Sequence, residues 1–232
     1  MKETRRNYIL GLTGDHGAGK DSCAQALARH GYLSVAFADA LRGEVCGAFH
    51  MGVRLLTNRD TKELPTHSLA LVQCLDPQFV LMCKAAGHEL TSPRSPRWIL
   101  QQWGTEYRRA QDPDYWAKQV RNWIERKVGT GWRYFVVTDV IFPNEAAMLR
   151  AMGGQIIRVH RRDGVSRLTP DTAYHASKRM PLICSDGDIM NDGTLAGLPE
   201  KVEHEVLFVM GSGGLCQSEA QGPAVFQQAG VM

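Results

Sequence analysis

A glycine-rich loop directly after a short apolar run constrains the fold of this chain more than any other feature. Residues 14–20 read GDHGAGK and match the pattern G-x-x-x-x-G-K. In such a loop the glycines let successive backbone N–H groups face phosphate oxygens, and the lysine ammonium reaches the β- and γ-phosphates. With 23 glycines in 232 residues, chance gives only about 0.08 matches to the bare pattern. The predicted nucleotide-phosphate site comprises Gly14, Asp15, His16, Gly17, Ala18, Gly19 and Lys20.

The segments around the loop predict a β-α-β unit. Residues 8–13 suit a strand buried on both faces, a helix follows at residues 21–30, and a second strand follows at residues 33–37. Later strands are predicted at residues 132–140, 155–160 and 188–190, and helices at residues 143–152 and 198–210. Alternating strands and helices predict an α/β fold with a mainly parallel sheet and right-handed crossovers.

A long, mostly helical stretch between the second and third strands predicts a cap outside the sheet. We expect a core formed by residues 1–42 and 129–210 and a cap at residues 43–128. Within the cap, Asp76-Pro77 and Asp112-Pro113 each suit an N-cap residue followed by proline at the first helical position. The tail, residues 211–232, has no periodicity and is expected to be disordered.

The positive charge is concentrated in two stretches of the chain. The net charge is only +3, but residues 91–133 hold nine basic and four acidic residues, and residues 155–180 hold six and two. Two local cationic regions suit small polyanions better than a long nucleic acid, which would favour one continuous basic face. We therefore expect no direct nucleic-acid binding.

The sequence also predicts a cytoplasmic protein. No apolar run approaches the roughly 20 residues of a membrane span, and the basic start lacks a signal-peptide core. None of the six cysteines forms a C-x-x-C pair or clusters with histidine, so reduced thiols are expected.

The residue after the loop lysine departs from the usual pattern. A serine or threonine normally stands there and ligates Mg²⁺, whereas this chain has Asp21 followed by Ser22. Either residue could serve the metal directly or through water. Asp21 is alternatively explained as a carboxylate favoured by the helix dipole.

Further blocks of sequence carry a resemblance to a known family. The second predicted strand leads into Asp39 and Arg42, within residues 37–42 (FADALR), which resemble the element that begins acceptor binding in nucleoside monophosphate kinases. Other blocks follow in order: KE at 62–63, SPR at 95–97, Gln101, WGTEYRR at 103–109, DYW at 114–116, DVIFPNEA at 139–146, HAS at 175–177 and NDGTL at 191–195. Over residues 8 to about 205, the sequence resembles the deoxynucleoside monophosphate kinases of tailed bacteriophages.

This resemblance implies both a fold and an activity. The fold is of the P-loop NTPase, nucleoside monophosphate kinase-like type, with three layers and a five-stranded parallel sheet in the order 2-3-1-4-5. The helical cap then binds the acceptor, and the basic stretch at residues 161–181 forms a lid. The implied activity is transfer of the ATP γ-phosphoryl group to a deoxynucleoside monophosphate with Mg²⁺, in the cytoplasm of the infected host. A homodimer, common among such kinases, is left open.

The resemblance and the fold also assign candidate roles to individual residues. The predicted catalytic residues are Lys20, Asp139, Arg161 and Arg162. The predicted metal residues are Asp21, Ser22 and Asp139, and adenine is expected near Asn191, Gly193 and Thr194. The predicted acceptor contacts are Asp39, Arg42, Lys62, Arg97, Gln101, Trp103, Arg109, Glu145 and His175. For Trp103, helical spacing slightly favours ordinary packing over stacking on the base, and for Asp139 a strand-end cap is the alternative.

Two positions depart from the family pattern, and other activities stay open. Ile141 stands where the family usually has arginine, and Lys178 stands where an acidic residue often follows HAS. One alternative is another small-molecule kinase, similar to dephospho-coenzyme A kinase, which has a comparable final N-x-G-T-L element. A P-loop ATPase or GTPase, or a non-catalytic nucleotide-binding module, are the others. An N-K-x-D motif, usual in GTPases, is absent from the sequence.

Overall fold

A computed structural model of the chain describes residues 6–58, 60–161, 183–192 and 197–212. Four predicted site residues lie outside these ranges: Arg162, His175, Gly193 and Thr194. The predicted lid beyond residue 161 and the tail beyond residue 212 lie outside them as well.

The strands of the described residues form one parallel sheet. They are β1, Tyr8–Thr13; β2, Leu33–Val35; β3, Tyr134–Val137; β4, Gln155–Arg161; and β5, Gly187–Asn191. The sheet has five strands in the order β2-β3-β1-β4-β5, with every described pairing parallel. Leu10 and Leu12 of the central strand are fully buried, as expected for a strand covered on both faces. The predicted fold class is confirmed.

Helices surround this sheet and fill the long connection between β2 and β3. They are α1, Lys20–Ala28; α2, Phe37–Ala48; α3, Arg54–Thr57; α4, Pro77–Ala85; α5, Pro96–Gln101; α6, Tyr115–Gly129; α7, Pro143–Ala151; and α8, Leu198–Ser212. Two short 3₁₀ turns, His67–Leu69 and Leu71–Gln73, precede α4. Helix α5 continues as a π-helix over Gln102–Arg109, a rare conformation that is frequent at functional sites.

Each face of the sheet has its own hydrophobic core. On one face Leu10 and Leu12 pack with residues of α1 and α8, among them Leu27 and Val202. On the other face Ile9 belongs to a larger cluster that reaches from α7 into the helices between β2 and β3. The helical connection therefore shares a continuous core with the sheet. The domain boundaries at residues 43 and 128 stay a prediction.

The structure differs from the predicted boundaries at β2, β3 and α6, among other elements. The second strand ends at Val35, and Phe37 already begins α2, because the Asp139 carboxylate caps that helix from the end of β3. The third strand covers only Tyr134–Val137. Helix α6 begins at Tyr115, so Asp112 does not cap it.

The predicted cap of α4 is confirmed. The side chain of Asp76 accepts hydrogen bonds from the N–H groups of Gln78 and Phe79, both at 3.0 Å. Pro77 occupies the first turn. Its lack of an N–H costs nothing there, because N–H groups of the first turn have no acceptor within the helix.

The state of the cysteines is only partly as predicted. Cys23, Cys46, Cys74 and Cys83 are free thiols. Cys184, by contrast, is disulfide-bonded, so the prediction of reduced thiols is wrong at this position. Within the described ranges, every helix is too short or too polar to cross a bilayer.

Candidate active site

The glycine-rich loop joins β1 to α1 and wraps around the start of that helix. Gly14 has a φ of 136° and Gly17 a φ of 79°, values that L-residues rarely adopt. A Cβ atom on Gly14 would overlap the carbonyl oxygen of Val159 in β4, whereas a Cβ on Gly17 would meet no atom within 4 Å. The loop is therefore held close to the sheet at its first glycine and open at its middle.

This contrast predicts different effects for two alanine substitutions. Gly14→Ala must accommodate both a strained φ and the overlap with Val159, for a loss of about 2–5 kcal/mol in unfolding free energy. Gly17→Ala adds only the backbone strain, about 1–2 kcal/mol. Urea unfolding of both variants measures the difference. Equal losses would contradict the close approach of the loop to β4.

Lys20 lies at the first position of α1 and folds back over the loop. Its ammonium donates hydrogen bonds to the carbonyl oxygens of Gly14 at 2.7 Å and Asp15 at 2.9 Å. Burial lowers the pKa of Lys20, while Asp21, Asp139 and Asp15 act in the opposite direction. The loop lysine and Asp139 of the next sheet element are thus close enough to interact electrostatically.

Side chains at the ends of β4 and β5 donate hydrogen bonds to the backbone of the loop. Arg161 donates through Nη1 to the carbonyl oxygen of Gly17 at 3.2 Å. Asn191 donates through Nδ2 to the carbonyl oxygen of Ala18 at 2.8 Å. Two predicted site residues, one for catalysis and one for adenine, are therefore brought to the loop itself.

Asp139 follows β3 and binds the start of α2. Its two carboxylate oxygens accept hydrogen bonds from the N–H of Phe37 at 2.7 Å and the N–H of Ala38 at 3.0 Å. Burial raises the pKa of Asp139, and the two N–H donors oppose that shift. Asp139 therefore acts as a cap at the end of β3, the alternative role that the sequence analysis gave it. These hydrogen bonds fix the carboxylate between the loop and α2.

Asp39 and Arg42 lie in the first turns of α2, beside Asp139. Asp39 accepts a hydrogen bond from the N–H of Ala36 and another from Nη1 of Arg42, both at 2.9 Å. Asp39 is exposed, and Arg42 is half-buried. The N-terminus of α2 thus presents a cation at the carboxyl edge of the sheet, where ligands of open α/β sheets bind.

Glu145 of α7 and Arg109 of the π-helix form a buried ion pair. The side chain of Glu145 is 2% exposed, and that of Arg109 is 14% exposed. Glu145 also accepts hydrogen bonds from the N–H groups of Ile141 and Phe142, at 2.9 and 3.0 Å. The guanidinium carbon of Arg109 lies 3.7 Å from the centroid of the Phe142 ring.

Burial dominates the electrostatics of this pair. It raises the pKa of Glu145 to about 7, although Arg109 and the two N–H groups favour the charged form and Asp139 disfavours it. Both oxygens of Glu145 already accept hydrogen bonds from protein donors. Glu145 is therefore engaged by its own chain rather than open to a substrate.

Trp103 is 1% exposed in the hydrophobic core and contacts Phe79 and Tyr107. Its indole Nε1 donates to Glu44 at 2.9 Å. So little exposed surface favours the packing explanation over stacking on an acceptor base. Gln101, at the end of α5, is exposed by contrast.

Glu44 organises a network that the sequence did not single out. Besides Trp103, it accepts hydrogen bonds from Nε of Arg108 at 2.8 Å and from the hydroxyl of Tyr115. The guanidinium of Arg108 also lies over the Tyr107 ring, 4.5 Å from its centroid. In the sequence, the signal for this network is the carboxylate of Glu44 among apolar positions of α2. This network holds the π-helix that carries Arg109.

Lys62 and Arg97, two further predicted acceptor residues, lie in the connection between β2 and β3. The backbone N–H of Arg97 donates to the carbonyl oxygen of Lys62 at 2.9 Å. The side chain of Arg97 forms an ion pair with Glu63. These two basic residues are therefore neighbours along the backbone, and Arg97 already has a carboxylate partner. Their role in acceptor binding stays a prediction.

The residues predicted to hold Mg²⁺ are too few to bind it without phosphate oxygens and water. Asp21 is exposed in the first turn of α1, and Ser22 follows it. In the described part of the chain, no group of three or more His, Cys, Asp or Glu side chains could hold a metal ion. Mg²⁺ is usually held by one or two carboxylates plus substrate phosphates and water, and Asp21, Ser22 and Asp139 stay the predicted residues for it.

Comparison with known proteins gives one family match. A family model described as deoxynucleotide monophosphate kinase matches residues 79–202, more than half of the chain. No curated protein matches the sequence.

Several solved structures are similar to this chain at low identity. A dephospho-CoA kinase from Campylobacter jejuni has 13% identity and a TM-score of 0.48 over 90% of this chain and 100% of that one. An unliganded sugar kinase from Janibacter sp. HTCC2649 has 13% identity and a TM-score of 0.46 over 89% and 95%. TT1252 from Thermus thermophilus has 16% identity and a TM-score of 0.47 over 94% and 100%.

Proposed function

This chain belongs to the deoxynucleotide monophosphate kinase family, and we propose that it phosphorylates a deoxynucleoside 5′-monophosphate with ATP. The observation that carries the proposal is that Asp139 lies close enough to interact electrostatically with both Lys20 of the phosphate loop and Arg42 of α2. A phosphate donor site and a cationic acceptor site then share one edge of the sheet. Family membership supports a phosphotransferase of the P-loop kinase class.

The phosphate loop and Lys20 hold the ATP phosphates in this proposal. Backbone N–H groups at the start of α1 and the helix dipole favour bound anions. On ATP binding, Lys20 exchanges the carbonyl oxygens of Gly14 and Asp15 for β- and γ-phosphate oxygens. Arg161, already at the loop, neutralises charge that spreads over the transferring group, as cis arginines do in phosphoryl transfer.

The cap holds the acceptor monophosphate. Arg42, Lys62 and Arg97 are its proposed phosphate ligands, with Gln101 available to a base edge. The reaction breaks the bond between the γ-phosphorus and the β–γ bridging oxygen, whose electron pair leaves with ADP. A new bond forms to an oxygen of the acceptor phosphate, so no side chain needs to remove a proton when that phosphate is fully ionised.

Mg²⁺, when bound, neutralises the β- and γ-phosphate oxygens. Asp21, Ser22 and Asp139 are the residues proposed to hold it or its water ligands. Asp139 keeps its carboxylate at the loop because the N–H groups of Phe37 and Ala38 fix it there.

The predicted residues outside the described ranges complete the proposal. Arg162 and His175 belong to the lid proposed at residues 161–181, and Gly193 and Thr194 to the adenine site. The products would supply deoxynucleotide precursors for phage DNA synthesis in the cytoplasm of the host.

A panel of acceptors tests the proposed reaction. The protein is incubated with Mg-ATP and, separately, dAMP, dCMP, dGMP, dTMP, modified pyrimidine deoxynucleotides or dephospho-coenzyme A, and ADP formation is followed. We expect ADP to appear with at least one deoxynucleotide and not with dephospho-coenzyme A. ADP formed without any acceptor would indicate an ATPase, and no ADP under any condition would indicate a binding module. Both outcomes contradict the proposal.

A further inference from the structure

Two neighbouring strand ends hold consecutive carbonyl groups of the phosphate loop. Arg161 and Asn191 are paired in the register of β4 and β5. They donate to Gly17 and Ala18, respectively, through the contacts described above. The loop is therefore supported by side chains from two strands that lie far from it in sequence.

The contact from Asn191 determines which way one loop peptide faces. A trans peptide group is planar, with its C=O and the following N–H pointing in opposite directions. Because the carbonyl of Ala18 points to Asn191 on β5, the N–H of Gly19 points away from that side chain. Gly19 directly precedes α1, at the helix end where N–H groups bind anions.

A second observation shows that Gly19 and Asn191 are fitted to one another. A Cβ atom on Gly19 would overlap Nδ2 of Asn191. Any side chain at position 19 would therefore push the Asn191 amide away from the carbonyl of Ala18. The absence of a side chain at Gly19 permits the hydrogen bond that fixes the loop.

We infer that Asn191 is a positioning residue that aims the Gly19 N–H at a phosphate of the bound nucleotide. This role rests on the proposed function, since it requires a phosphate in the loop. It differs from the sequence expectation that Asn191 lies at the adenine. The amide nitrogen of Asn191 is engaged with the loop backbone, and its contribution is made through Gly19 rather than by contact with the base.

Two ligands that share a triphosphate, only one of which carries a base, distinguish a positioning role of Asn191 from contact with the adenine. The Asn191→Ala variant is titrated with Mg-ATP and with inorganic tripolyphosphate plus Mg²⁺ in a calorimeter, and Met190→Ala is the control. Met190 precedes Asn191 in β5, and its side chain is exposed. We expect Asn191→Ala to weaken both ligands by the same factor, about three- to tenfold, and to leave acceptor binding unchanged. Met190→Ala should change neither.

Several outcomes would overturn the inference. If Asn191→Ala weakened Mg-ATP but not tripolyphosphate, Asn191 would contact the base. If neither affinity changed while the wild-type protein bound both ligands, the orientation of Gly19 would not depend on Asn191. Failure of the wild-type protein to bind Mg-ATP would instead overturn the proposed function, and this inference with it.

A double-substitution cycle gives a second, independent test. Gly19→Ala is expected to weaken tripolyphosphate binding more in the wild-type background than in the Asn191→Ala background, where the overlap with the amide is absent. The strain of the Gly19 backbone is the same in both, so it cancels in the comparison. Equal effects in the two backgrounds would contradict the fit between the two residues.

Discussion

Replacing Lys20 by alanine is expected to abolish phosphoryl transfer while leaving the fold intact. In the proposed function the ammonium of Lys20 binds the phosphates, and removal of a single preorganised donor typically lowers turnover by about 10²–10³-fold. Stability should change little, because the hydrogen bonds of the Lys20 ammonium in the described structure are to two loop carbonyls. ADP formation and thermal unfolding measure the two effects separately.

Two further variants make this experiment specific. Lys118→Ala removes a lysine that pairs with Asp112 on the surface, where ion pairs contribute at most about 1 kcal/mol, and it should retain full activity. Lys20→Arg keeps the charge on a different head group and should remain impaired, since a guanidinium does not replace a compact ammonium in a tight loop. Wild-type transfer by Lys20→Ala would show that the loop is not the phosphate site.

The parts of the fold that depend on local sequence were predictable. The apolar run at residues 8–13 coincides with β1, because burial on both faces and a glycine-rich turn leave local patterns. The N-cap of α4 was predictable for the same reason, since Asp76 and Pro77 are adjacent to the N–H groups they satisfy or replace.

The features that depend on distant residues were not predictable from local pattern. Phe37 begins a helix because Asp139, 102 residues later, accepts its N–H, and no signal near Phe37 reports this. The network around Glu44 likewise depends on hydrogen bonds from Trp103, Arg108 and Tyr115, which lie on other elements. Sheet order came from family resemblance rather than from the strands themselves.

The second large effect concerns the ion pair between Arg109 and Glu145. We expect Arg109→Met to destabilise the protein by about 3–5 kcal/mol at pH 8, because it leaves a buried carboxylate without its partner. At pH 5.5 the loss should be smaller by up to about 1.4 kcal/mol, since Glu145, with a pKa of about 7, is then mostly neutral in both proteins and pH 8 lies only one unit above that pKa. Urea unfolding at the two pH values measures the difference.

The sign of this pH dependence follows from proton linkage. Burial raises the pKa of Glu145 in the folded protein above its ordinary value of 4.5, so the folded state binds the proton more tightly than the unfolded state does. The stability from this group is fully present below pH 4.5 and is lost as the pH rises through about 7. Without Arg109, which favours the ionised form, the loss extends to higher pH and grows.

The Glu145→Gln background isolates the carboxylate as the cause. A glutamine side chain does not titrate, so adding Arg109→Met to Glu145→Gln should cost the same at pH 5.5 and pH 8. The packing of Arg109 on Phe142 is lost in both backgrounds and cancels. If Arg109→Met were equally destabilising at both pH values in the wild-type background, Glu145 would be ionised throughout. The three donors around it, and not its burial, would then determine its charge.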